Sequence, residues 1–166
     1  MTAQLLEGGP LAAQIRAEIS REVKLLKEKG RPVCLACVQV GEKPESVMYV
    51  KSQEKVCAEV GIQFRVEQLP NSASQVGLQH AIEKLNHDPS VQGIILQLPL
   101  PARLDARLAQ RNINPGKDAE GVHPINLGLI VYGVTQRAPC TAIAAYQLIK
   151  SLHVDLYGKE AVVVGH

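Results

Sequence analysis

The 166-residue sequence contains no tryptophan, one phenylalanine and four tyrosines, and aromatics amount to 3% of it. A nucleic-acid surface usually combines a basic stripe with rings that stack on bases. The net charge is only +2 and the lysines and arginines are scattered, so that class is excluded as the first reading. No apolar stretch approaches the ~18 residues needed to span a bilayer. The opening MTAQLLEGGP lacks a basic leader followed by an apolar core, so it does not read as a secretory signal. The expected setting is the cytoplasm, without a membrane or nucleic-acid partner. Internal repeats and low-complexity segments are also absent.

Cysteine is sparse as well. Cys34 and Cys37 form a C-x-x-C, but no second such pair and no neighbouring histidine completes a zinc site. In the strand-like run VCLACVQV, residues three apart point to opposite faces. All four cysteines, Cys34, Cys37, Cys57 and Cys140, are therefore expected to be reduced and mostly buried, and no metal is expected.

What is present is a hydrophobic content of 46%, enough for a packed core, arranged as alternating strand and helix patterns. Leu11, Ile15, Ile19, Val23 and Leu26 recur at helical spacing over 10–29. Val33 to Val40 reads as a buried strand, broken by Gly41-Glu42-Lys43-Pro44. Glu45 to Val60 reads as a helix ended by Gly61, and Ile62 to Leu69 as a strand. Ser72 to Asn86 reads as a helix with Ser72 or Ser74 as N-cap. Val91 to Leu98 reads as a strand closed by Pro99 and Pro101, and Leu104 to Gln110 as a short helix. Residues 112 to 140 read as loop with short ordered pieces. Thr141 to Leu152 reads as a helix capped by Thr141, and Glu160 to Val164 as a last strand. This alternation predicts an α/β fold, a three-layer open and mainly parallel sheet, with its site beyond the carboxyl ends of the strands.

Four segments can carry chemistry. On the helix after the first strand, Ser46, Tyr49 and Gln53 are spaced to share a face. Gln97 ends an apolar strand before two prolines. The loop from Pro115 to Gly128 concentrates acids, histidine and asparagine. Cys140, in Pro139-Cys140-Thr141, stands at a helix start, where a thiol pKa can be lowered. Each also has a plain structural reading: a solvated helix face, a strand end meeting water, a surface connection and a cap.

In order along the chain, S-x-x-Y-V, V-x-G-I-x-x-Q-L-P-L-P, P-x-K-D-x-x-G-x-x-x-x-N-x-G, P-C-T and G-K-x-x-V-V-V-G resemble the methylenetetrahydrofolate dehydrogenase/cyclohydrolase family. The resemblance implies a folate-binding catalytic domain over 1–140. It also implies that 141–166 are a linking helix and the first strand of a Rossmann domain, truncated here, with NADP or NAD as cofactor and tetrahydrofolate as substrate. It implies that Tyr49 packs on the folate and that Ser46 matches the family serine on the same helix. Gln97 would support the catalytic position, Asp118 would match the K-D of the loop as a substrate-binding residue, and Glu120 would take the place of an aspartate that grips the pterin. Gly165 would begin the nucleotide site, and the complete protein would form a homodimer through its second domain.

Three departures follow from that resemblance. The family lysine four residues after the tyrosine is Gln53 here; Lys51 and Lys55 lie about 200° around the helix from it, at ~100° per residue. Glu120 stands in place of an aspartate, which extends the carboxylate by ~1.5 Å. Ala142-Ile143-Ala144 replaces the family's P-x-G. An amide cannot exchange a proton at neutral pH, so cyclohydrolase activity is expected to be lost, whereas hydride removal depends on placement and can survive. With no glycine loop after Gly165, the chain alone is expected to be inactive in oxidation. The alternative is a non-catalytic folate-binding or dimer-forming remnant.

Overall fold

The computed structural model describes residues 5–134 and 137–164. Its elements are α1 (Gly8–Glu28), β1 (Cys34–Val40), α2 (Pro44–Val60), β2 (Gln63–Leu69), α3 (Gln75–His87), β3 (Gly93–Leu96), α4 (Ala106–Asn112), α5 (Pro124–Val131) and α6 (Cys140–Lys150). The three strands form one parallel sheet in the order β2-β1-β3. β1 pairs from Cys34 opposite Gln63 through Val40 opposite Leu69, and on its other edge from Leu35 opposite Gly93.

β1 is buried nearly throughout because both of its faces are covered, the usual fate of a central parallel strand. Cys34, Ala36, Val38 and Val40 face a core built with Leu78, Ile82 and Leu85 of α3, Ile94 and Leu96 of β3, and Ala109 of α4. Cys37 faces the opposite way, with Val50 of α2 and Ile95. The two cysteines of the C-x-x-C thus sit on opposite faces and share no site. Burial pushes the Cys37 thiol up to about 12, so it stays protonated and inert.

The helix boundaries have local causes. Pro44 opens α2, where its missing N–H costs nothing, and Gly61 closes it at φ 85°, a left-handed position that glycine takes without strain. Ser74, one of the two serines considered, caps α3 by accepting from the Gly77 amide at 3.1 Å. Asp105 does the same for α4 from Leu108 at 3.0 Å.

Two expectations are corrected. Thr141 is not an N-cap: α6 begins one residue earlier, with Pro139 at the cap position and no side-chain cap bond. The apolar run 160–164 forms no strand, and Val162, Val163 and Val164 are 89%, 87% and 94% exposed. Strand propensity is realised only against a neighbour that supplies ladder partners, and no described strand lies beside this run. Cys140 is exposed, unlike the other three cysteines.

Candidate functional site

α2 leaves the carboxyl end of β1 and runs back across the sheet. Its first turn buries Ser46, its second leaves Tyr49 58% exposed and its third brings Gln53 half under cover. Tyr49 and Gln53 line a cavity of about 240 Å³ with Leu35, Ser52, Val56, Cys57 and Ile95. The structure thus brings Tyr49 and Gln53 together; Ser46 lies a turn earlier and is not part of this lining. Lys51 and Lys55 are exposed, in keeping with their place on the far side of the helix.

The cavity presents an apolar floor with one polar anomaly. Gln53 Oε1 is buried and has no hydrogen-bond partner among the described residues. An unsatisfied buried acceptor costs roughly 1–3 kcal/mol, so the fold tolerates a penalty at this position.

The second part of the site comes from the segment after α4. Ile94 N donates to Lys117 O at 2.7 Å and Ala119 N donates to Ile94 O at 3.2 Å, so residues 117–119 extend the sheet beside β3. Asp118 is buried at the centre of the turn that follows. Its Oδ1 accepts from Glu120 N at 3.3 Å and Gly121 N at 3.1 Å, and its Oδ2 accepts from His123 N at 2.9 Å and Asn126 Nδ2 at 2.8 Å. Both oxygens are thereby committed to the loop, and the carboxylate is a positioning group in this geometry.

Glu120 is the acid that the turn presents. Its Oε2 accepts from the amide of Leu96, the last residue of β3, at 3.4 Å. Burial raises its pKa, and the neighbouring Asp118 adds to the rise against the lowering effect of the Leu96 amide.

Gln97 is held differently from the expectation. Its main-chain N–H continues the sheet to Val38 O at 2.9 Å, while its side-chain Nε2 donates to Leu98 O at 2.6 Å. The side chain makes no hydrogen bond to Gln53. Glu120 and Gln97 thus stand at the strand ends, whereas Gln53 lies farther along the sheet face, beside Leu35 and Ile95. Gly165 lies outside the described residues.

Sequence reasoning passed over three residues that build the loop. Lys117 Nζ donates to the carbonyls of Leu85 and Asp88. Buried His123 accepts from the Ile125 amide through Nδ1 at 3.1 Å and faces Arg111 O through Nε2 at 3.2 Å, which assigns the ring proton to Nε2. Buried Asn126 bridges Asp118 and Pro115 O. The available signal was the asparagine eight positions after Asp118 in the quoted pattern. Among the described residues, no group of three or more His, Cys, Asp or Glu side chains is arranged to hold a metal, and no helix is long and apolar enough to cross a membrane.

These features define a class: an α/β fold with a parallel sheet, a cavity lined by Tyr49 and Gln53 of α2, and a loop-borne carboxylate, Glu120, at the end of β3. Residues 6–120 match the family described as tetrahydrofolate dehydrogenase/cyclohydrolase, catalytic domain. The "Bifunctional protein FolD" of Geotalea uraniireducens is 44% identical over 163 residues, which cover 98% of this chain and 58% of that protein. That of Paracidovorax citrulli is 40% identical over 165 residues, covering 99% and 58%. The crystal structure of the Campylobacter jejuni bifunctional enzyme FolD superposes with a TM-score of 0.94 at 41% identity, covering 98% of this chain and 58% of that one. The Trypanosoma brucei dehydrogenase-cyclohydrolase, complexed with NADP cofactor and inhibitor, superposes at 0.85 with 30% identity, covering 96% and 55%. The chain belongs to the tetrahydrofolate dehydrogenase/cyclohydrolase family. It spans 58% of the length of these two FolD proteins.

Proposed function

We propose that this chain is the folate-binding part of a methylenetetrahydrofolate dehydrogenase whose cyclohydrolase step has been lost. The observation that carries the reading is Gln53: an amide with a buried, unpartnered oxygen lines the cavity beside Tyr49, at the position where the family pattern places lysine. Oxidation of the methylene carbon removes a hydride and leaves no proton for a base to take. It needs the pterin and the bridging carbon to be held still. Tyr49 offers a ring face for the substrate's aromatic part, and Ser46, Gln97, Asp118 and Glu120 serve its orientation. Hydrolysis of the methenyl carbon adds water, opens a C–N bond and requires a proton to be moved, which the Gln53 amide cannot do.

In this reading residues 1–140 form the folate domain, and 141–166 lead into a nucleotide-binding domain where NADP or NAD takes the hydride, with Gly165 at its start. The protein works in the cytoplasm, and the complete enzyme is a homodimer.

Calorimetric titration with a methenyl-tetrahydrofolate analogue tests the pocket. Saturable binding that disappears in Tyr49→Ala supports it. A folded chain that does not bind supports the alternative of a non-catalytic remnant. Hydrolysis tests the loss: methenyl-tetrahydrofolate should open at the uncatalysed rate, and Gln53→Lys should accelerate it. Rapid hydrolysis by the unaltered chain would sink the proposal.

A further inference from the structure

The Glu120 carboxylate has a weak hold of its own. Its bond to the Leu96 amide is 3.4 Å long, beyond the usual range for N–H···O. Where the carboxylate sits is therefore decided by where the backbone of residues 119–121 sits. One side of that turn is fixed by Asp118 and by the Ala119 amide on Ile94 O.

The other side is fixed by the segment that leads into α6. Arg137 Nη2 donates to Gly116 O at 2.8 Å. The space over Gly121 is filled by the backbone of Ala138: a Cβ at Gly121 would lie 2.4 Å from the Ala138 carbonyl carbon and oxygen, and the residue's φ of +69° already favours glycine. The Cys140 thiol, at the first position of α6, donates to Ala119 O at 3.5 Å and lies 3.9 Å from Glu120 O. Three successive contacts from one strap thus close on the loop that carries Glu120.

We infer that residues 137–140 are a strap that seats the Glu120 turn against the end of β3, with Arg137 and Cys140 as positioning residues for that carboxylate. Cys140 is exposed as a residue but its thiol is partly covered by the loop, and that desolvation, reinforced by the nearby Glu120 and Asp118 carboxylates, raises its pKa and keeps it an S–H donor. Among the described residues, the titratable groups whose charge couples to Glu120 are Asp118 in the same loop, Cys37 on β1 and Cys140 on α6, and none of these is a cation. Movement of the start of α6 therefore moves the acid. The consequence for ligand rests on the folate reading above; the seat itself does not.

The experiment follows the Glu120 side-chain carboxyl by carbon-13 NMR across a pH titration in the unaltered chain, Cys140→Ala, Cys140→Ser and Arg137→Ala. Release of the turn exposes the carboxylate, so its midpoint should fall toward the ordinary carboxyl range in Cys140→Ala and Arg137→Ala. It should stay raised in Cys140→Ser, which retains a donor. Affinity for the methenyl-tetrahydrofolate analogue should weaken about tenfold in Cys140→Ala, the worth of one hydrogen bond's misplacement. A Glu120 midpoint unchanged in both Cys140→Ala and Arg137→Ala overturns the strap, even if the unaltered chain binds folate. A midpoint that moves in a chain that binds no folate upholds the strap and defeats the folate reading.

Discussion

Lys117 places its ammonium on the carboxyl end of α3, 2.7 Å from the Asp88 carbonyl oxygen. A second bond reaches Leu85 O at 3.0 Å. The last carbonyls of a helix lack intrahelical donors and carry the negative end of its dipole, so a cation there satisfies both needs. The same side chain ties the loop of Asp118 to the helix that packs on β1. Lys117→Met keeps the stem and removes the donor. It should cost about 2 kcal/mol in urea unfolding, since hydrogen bonds from charged groups are worth ~1.5–3 kcal/mol. A loss below about 0.5 kcal/mol, the level of an ordinary surface change, would mean that water replaces the ammonium.

Asp118 concentrates more of the loop's order in one group. Its two oxygens accept from three backbone amides and from Asn126. In Asp118→Asn one oxygen becomes an NH₂ facing donors, so at least one buried N–H pair loses its acceptor. The expected loss is about 3 kcal/mol, with amide exchange accelerated at Gly121 and His123. Unchanged protection at both amides would show that the loop holds itself without the charge.

The contrast between this loop and the sheet shows what could be read in advance. β1, α2 and α3 announce themselves because apolar spacing reports a face, and a face needs only a core to pack against. Opposed burial of Cys34 and Cys37 follows from the same period. The segment 112–140 has no period: its order comes from one carboxylate drawing amides from residues 120, 121 and 123 and a side chain from Asn126. Such a pattern is visible only once the chain has turned on itself. α5 is apolar in composition yet buries only Asn126 fully, so its packing could not be inferred from its hydrophobicity. The Val162–Val164 run misleads in the opposite way, since its composition is strand-like while its pairing depends on residues elsewhere. Tyr49 and Gln53 were legible as neighbours from helix geometry. The local hold of the Gln97 side chain on Leu98 O was not.

The raised pKa of Glu120 gives a stability prediction with a definite sign. Its folded-state value lies above the unfolded one because burial disfavours the charge. Its contribution is therefore fully present below the unfolded carboxyl value and is lost as pH rises through the folded one. Glu120→Gln keeps an acceptor for the Leu96 amide and removes the charge. The variant should unfold at higher denaturant than the unaltered chain at pH 7 and at the same denaturant near pH 4. A gain of equal size at both pH values would assign the effect to packing. Asp88 does not disturb the comparison, because its value is lowered to about 2, chiefly by the Ser90 hydroxyl and then by Arg65, and it titrates in both proteins alike.

Gln53 sets stability against binding. Its Oε1 is buried without a partner, against a lining of Leu35, Val56, Cys57 and Ile95. Methionine has a similar length and helix propensity, so Gln53→Met changes mainly the desolvated amide. The variant should be more stable by about 1 kcal/mol, the lower end of the cost of an unsatisfied acceptor. It should also bind the folate analogue more weakly, since the amide is a polar group that the α2 side offers to a ligand in this cavity. Urea unfolding and calorimetry on the same preparation read both effects. A stabilised variant with undiminished affinity would remove Gln53 from the binding site. A destabilised variant would show that the amide oxygen already has a partner, such as an ordered water, and that the penalty assigned to it is not real.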